Sequence, residues 1–111
     1  RVAMECKSVH IPRFPFRNLE EHQEQALVEF ARRYQTWSLV LINFRLPHTN
    51  ACYSIPIFDY LELKKIFVSD GVKSIPVDWF STLNLHPFSG GQVKRAKFGD
   101  RYGWKMGWVL D

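Results

Sequence analysis

The sequence predicts an α/β domain, on three observations: an opening stretch of alternating polarity, a long segment with helical spacing, and a nearly continuous apolar, β-rich run directly after it. Val2, Met4 and Cys6 alternate with Arg1, Ala3, Glu5 and Lys7, which is the period of a strand. His10 to Phe16 contains Pro12 and Pro15, which exclude helix and enforce an extended crossing segment. Asn18 followed by Glu21 predicts a capping box, and Leu19 to Tyr34 then predicts a helix. Trp37 to Phe44 (WSLVLINF) predicts a central strand covered on both faces, with Cys52 to Ile57 as its partner and Arg45 to Ala51 turning between them. Phe58 to Phe67 predicts a short amphipathic helix with Phe58, Leu61, Lys65 and Ile66 on related faces, ended by Gly71. Ser74-Ile75-Pro76 is predicted to be extended, and Pro76 to open a short helix over Val77 to Leu83.

A chain of 111 residues supports one core, so a single domain over 1–111 is expected. With 46% hydrophobic and 15% aromatic residues it should fold rather than stay disordered. No apolar run approaches the ~20 residues of a membrane helix, and no charged leader precedes a cleavage site, so a protein of the bacterial or phage-infected cytoplasm, without a membrane partner, is expected. Cys6 and Cys52 lack CxxC spacing and are expected to be free, packed thiols. The chain opens on Arg1, already in strand pattern, and an upstream segment is therefore expected.

The net charge of +4 favours a polyanionic partner. Most of it lies in a C-terminal segment, 86–111, where Lys94, Arg95, Lys97, Arg101 and Lys105 face only Asp100 and Asp111, giving +3. Glycines and the aromatics Phe98, Tyr102, Trp104 and Trp108 are interleaved there. The cations could contact phosphates while Phe98, Tyr102 or Trp104 stack on unpaired bases. Packing into a core or dimer interface is the alternative for the aromatics, and Trp108 is assigned to it. Gly90-Gly91 lacks the spacing of a phosphate-cradling loop.

Glu5 and Lys7 stand at i and i+2 of one strand, so both leave the same face. A carboxylate there can ligate Mg²⁺ through hard oxygen, and an ammonium can hold the attacking water and offset phosphate charge. An ion pair on the solvated face of an edge strand is the commonplace alternative. On the predicted helix Leu19, Ala26, Phe30 and Tyr34 form one stripe with Gln23 in its middle, so an amide points inward and needs partners. Gln23 could be satisfied by backbone or could reach the strand of Glu5 and Lys7. His22, at the edge of that stripe, could touch phosphate or cap the core surface. His10, His48 and His86 lack metal-ligand spacing, Ser8, Ser74 and Ser81 lack identifiable partners for nucleophilic catalysis, and Asp59 with Glu62 reads as a solvated helical face.

This order of elements resembles the PD-(D/E)xK nuclease superfamily, and within it the RecU-type Holliday-junction resolvases. The resemblance rests on "MECKS" as the Glu-x-Lys strand, "FPFRNLEEHQEQAL" as the Phe-Pro segment and His-Gln helix, and "WSLVLINF" as the next core strand; "YSIPIFDYLELKKIF" and "VKSIPVDWF" fit the later elements. It covers roughly Val2 to Phe80. It implies a restriction-endonuclease-like mixed sheet flanked by helices, Mg²⁺-dependent phosphodiester hydrolysis with Mn²⁺ able to substitute, and a homodimer acting on branched DNA. It makes Glu5 a metal ligand, Lys7 the water-positioning cation and Gln23 a supporting catalytic residue, with His22, Lys94, Arg95, Lys97, Arg101 and Lys105 on DNA. It also implies an acidic residue on the strand before Glu-x-Lys, a part of the core expected upstream of Arg1. The readings kept beside it are a non-catalytic DNA- or protein-binding module with the same fold, and a restriction or repair nuclease of the same superfamily.

Overall fold

Alternation in the opening residues becomes strand β1 (Ala3–Val9), which lies parallel to β3 (Ser38–Leu46) with Glu5 opposite Val40 and Lys7 opposite Ile42. The computed structural model describes residues 2–81, 91–98 and 101–105, with Ser81 and the last two segments described by backbone alone. A parallel pair needs a crossover. Here it runs through the short strand β2 (Arg13–Pro15), a 3-10 turn (Phe16–Asn18) and helix α1 (Glu21–Tyr34). β3 then turns through Pro47-His48 into antiparallel β4 (Thr49–Pro56), a tighter turn than Arg45 to Ala51. Helix α2 (Ile57–Ser69), strand β5 (Ser74–Pro76) and helix α3 (Val77–Ser81) follow, and then β6 (Gly91–Phe98) and β7 (Arg101–Lys105). The main sheet has the order β1-β3-β4-β6-β7, with only β1 and β3 parallel, while β2 and β5 form a separate antiparallel pair. This is the mixed sheet flanked by helices of the restriction-endonuclease-like class.

β3 is buried continuously from Ser38 to Ile42 because both its faces are covered, as its unbroken apolar run predicts. Val40, Ile42 and Phe44 face the core beneath the helices, whereas Leu39 and Leu41 join Cys52 in a smaller cluster on the opposite face. The prolines of the crossing segment hold Phe14 extended against Ile75 of β5, and both side chains are fully buried. Phe14 and Phe16 set their rings edge-on to Tyr60 of α2, at centroid distances of 6.4 and 6.0 Å. The crossing thereby anchors α2. α2 stops where Gly71, at φ 79°, takes the left-handed conformation and lets the Gly71 and Val72 N–H groups donate back to Val68 and Phe67.

Three expectations are corrected. The cap lies at Glu20, whose N–H donates to Gln23 Oε1 at 3.0 Å, and not at Asn18, which ends the 3-10 turn. Leu19 is consequently buried as part of the crossing, and the inward stripe of α1 is Glu24, Leu27, Val28 and Ala31 rather than Gln23, Ala26, Phe30 and Tyr34. Ala26 is exposed, and Phe30 and Tyr34 pack on each other at 4.7 Å on the rim. On α2 the buried residues are Ile57, Tyr60 and Leu63, while Phe58 and Ile66 are exposed. The predicted face is rotated because the helix begins at Ile57, directly out of β4. Of the segment Val77 to Leu83, the described part is helical and Thr82 and Leu83 lie outside the described residues.

A buried carboxylate joins the helices: Glu24 receives a hydrogen bond from Lys64 Nζ at 2.7 Å. The Tyr60 hydroxyl is buried without a partner among the described residues, and desolvation, with Glu24 adding to it, pushes that phenol's pKa up. Such a hydroxyl contributes no net stability. Tyr60→Phe is therefore expected to leave unfolding free energy unchanged or raise it by about 1 kcal/mol, whereas Phe14→Ala should lower it by about 3–5 kcal/mol, both measured by urea denaturation.

Candidate active site

β1 holds both charged residues of the Glu-x-Lys strand on the face that carries Ala3 and Val9, the face turned toward the helices. Strand alternation alone fixes this side. Pairing fixes the neighbours: Glu5 stands beside Val40 and Lys7 beside Ile42, with Ile55 and Tyr53 one strand further on in β4. Val40 and Ile42 belong to the core, so Glu5 and Lys7 are half-buried at its margin instead of lying on an open solvated face. Neither makes a hydrogen bond or ion pair among the described residues. The commonplace local ion pair is thus not what this strand presents. β1 is the outermost described strand of the sheet.

The next residue along, Cys6, points to the opposite face and is exposed. Partial desolvation of its thiol, with Glu5 adding to it, raises its pKa and disfavours the thiolate. Cys52 is buried, and desolvation pushes its thiol up to about 12, with Cys6 a smaller cause. Both cysteines are free.

Gln23 lies half-buried in the first turn of α1 with its Oε1 committed to the Glu20 N–H. Whatever it contributes beyond that cap must come from its Nε2 amide. The reciprocal box at Glu20 is legible as an acidic residue followed three positions later by Gln, a pattern one residue pair away from the Asn18–Glu21 box. His22 projects into solvent, with Nδ1 3.3 Å from a Glu20 carboxylate oxygen, and does not cover the core. Glu20 and Glu21 beside it make this turn locally acidic. His10 and His48 are exposed, and His86 and Trp108 lie outside the described residues. Lys94, Arg95 and Lys97 fall on β6, and Arg101 and Lys105 on β7, where Lys94 pairs with Lys105 and Phe98 with Arg101 in the backbone register. That hairpin extends the sheet on the side away from β1.

Glu5 suits a hard divalent cation as one oxygen ligand, a Mg²⁺ ion commonly taking one or two carboxylates plus water and substrate phosphate. The set is not completed here: among the described residues no group of three His, Cys, Asp or Glu side chains could hold a metal ion. Glu24, the other inward-turned carboxylate of the crossover, is committed to Lys64.

A mixed sheet whose edge strand carries Glu-x-Lys toward the helices defines a protein of the restriction-endonuclease-like class. Residues 1–93 match the family model described as RecU, Recombination protein U, and the chain belongs to that family. No curated protein matches the chain. Among the described residues no helix is long and apolar enough to cross a membrane.

Gln23→Ala should lower stability by about 0.5–2 kcal/mol through loss of the cap, and Gln23→Glu, which keeps the acceptor, should restore most of it in thermal melts followed by circular dichroism.

Proposed function

We propose that this protein is a divalent-metal-dependent endonuclease that hydrolyses phosphodiester bonds in branched DNA, as a Holliday-junction resolvase does. The observation that carries the reading is the pair Glu5 and Lys7, half-buried on one face at the margin of the core with no hydrogen-bond or ion-pair partner among the described residues, in a chain of the RecU family. A bound Mg²⁺, or Mn²⁺ in its place, would supply Lewis acidity at the phosphate and a more acidic water.

The chain's own residues do the rest. Glu5 would offer a hard carboxylate oxygen to that ion. The Lys7 ammonium, held two residues along the same face, holds the attacking water and offsets the charge that grows on the phosphate oxygens. The water oxygen forms a bond to phosphorus and gives its proton to bulk water as the bond to the 3′ oxygen breaks, and the departing 3′ oxygen takes a proton from solvent, which leaves a 5′-phosphate and a 3′-hydroxyl. Gln23 contributes through its free amide, orienting water from the first turn of α1. His22 and the cations Lys94, Arg95, Lys97, Arg101 and Lys105 bind backbone phosphates, a sequence-independent contribution suited to a substrate recognised by shape. Two copies of the chain, each cutting one strand, match a four-way junction by symmetry.

A second reading has its own observation: among the described residues the metal-ligating set is incomplete, which favours a non-catalytic DNA- or protein-binding module on the same fold. One assay separates the two. A four-way junction, a linear duplex and a single strand are incubated with the protein and Mg²⁺, with and without EDTA, alongside Glu5→Gln and Lys7→Ala. The nuclease reading expects junction cleavage abolished by EDTA and reduced about 10²–10³-fold by either substitution. Binding of the junction with no cleavage by the parent protein would favour the module, and full cleavage by Lys7→Ala would remove the mechanism.

A further inference from the structure

The parallel pair β1–β3 borders a second feature, at the end where its strands begin. There the turn leaving α1 and the first turn of α2 flank an open pocket of about 440 Å³. Ala31 and Ser38 line its inner part, and Pro56, Asp59 and the rings of Trp37 and Phe58 line the remainder. Trp37 is 52% exposed and Phe58 47% exposed, a large apolar area left in water. The Arg32 guanidinium lies 5.8 Å from the Phe58 ring centroid. Ser38 is 2% exposed, and its Oγ has no hydrogen-bond partner among the described residues.

These features select a ligand chemistry. Among the described residues no Lys or Arg lines the pocket, and Asp59 does, so phosphate is disfavoured. Aromatic walls around a neutral hydroxyl suit a flat, uncharged ring with polar edges. Position supplies the rest: Ser38 pairs with Ala3 and stands two residues before Val40, which is opposite Glu5. With ~3.3 Å per residue along a strand and ~4.8 Å between strands, the Ser38 and Glu5 Cα atoms lie about 8 Å apart, on the same face. That span is two to three steps of a nucleic-acid strand at ~3.4 Å each.

We propose that this pocket binds an unpaired nucleobase of the DNA strand held at Glu5 and Lys7, with Trp37 as its stacking platform and Phe58 as the second wall. The proposal rests on the DNA-cleaving reading above. Stacking on Trp37 accepts any base, so the pocket adds no sequence preference. It selects instead for strands whose bases are free, since a paired base reaches the pocket only after leaving its stack.

The test uses a duplex with one extrahelical 2-aminopurine and the same duplex with that base paired, titrated with the parent protein, Trp37→Ala, Trp37→Phe and Phe58→Ala. The expected result is quenching of the extrahelical probe by the parent and by Trp37→Phe. Trp37→Ala should lose the quenching, and its preference for the extrahelical over the paired duplex should fall about tenfold; Phe58→Ala should move the same way. Junction cleavage is measured on the same preparations. If Lys7→Ala abolishes cleavage while Trp37→Ala and Phe58→Ala keep the parent's preference and quenching, the base pocket is overturned and the nuclease reading stands. If the parent binds neither duplex and cleaves no junction, both are overturned.

Discussion

Everything that can be said of this protein's chemistry depends on the parallel pairing of β1 with β3. The register puts Glu5 beside Val40 and Lys7 beside Ile42. A slip of one residue would send both charges to the opposite face, where Cys6 now lies, away from the helices. The pairing is enforced from both sides. β3 is the apolar centre of the sheet and cannot shift without exposing Val40, Ile42 and Phe44, while the crossover through β2 and α1 is tied down by Phe14 against Ile75 and Tyr60. The hydrophobic core thereby determines which side of β1 carries its charges.

Electrostatics divides the inward-turned charges into two kinds. Glu24 is buried and paired with Lys64, which ties α1 to α2; removing either partner would strand the other in a poorly solvated setting. Glu5 and Lys7 are half-buried and unpaired among the described residues, on the same side of the sheet. Groups that serve only packing are normally satisfied within the fold. A half-buried pair with no partner among the described residues is what a site for a cation and a phosphate requires, and the Trp37–Phe58 pocket, lined by Ser38 two residues before the strand neighbour of Glu5, repeats the pattern with apolar surface in place of charge.

Strand periodicity made β1 and the shared face of Glu5 and Lys7 legible, and the unbroken run WSLVLINF made β3 legible as a strand covered on both faces. The prolines announced the crossing segment, and the resemblance to RecU-type proteins rests on these same elements. The stripe of α1 was misread because a helix face is set by where the helix begins. Asn18–Glu21 and Glu20–Gln23 are both capping patterns, and packing of Leu19 in the crossing decides between them. That one shift brought Glu24 inside, an acidic residue that hydrophobic patterning assigns to solvent. Its counterpart Lys64 is forty positions away, a pairing no local pattern signals. Trp37 was read as the first residue of a buried strand. It lies instead just ahead of that strand, with its ring in solvent, because the left-handed Gln35 at φ 49° ends α1 and redirects the chain there.

The central claim is that the helix-facing side of β1, at Glu5, is where a divalent cation meets DNA. Paramagnetic broadening of backbone amide signals by Mn²⁺ in the presence of a non-cleavable junction analogue tests it directly. The account predicts broadening centred on Glu5 and its strand neighbour Val40, lost in Glu5→Gln. Broadening centred instead on the acidic first turn of α1, at Glu20 and Glu21, and unchanged in Glu5→Gln, would contradict it.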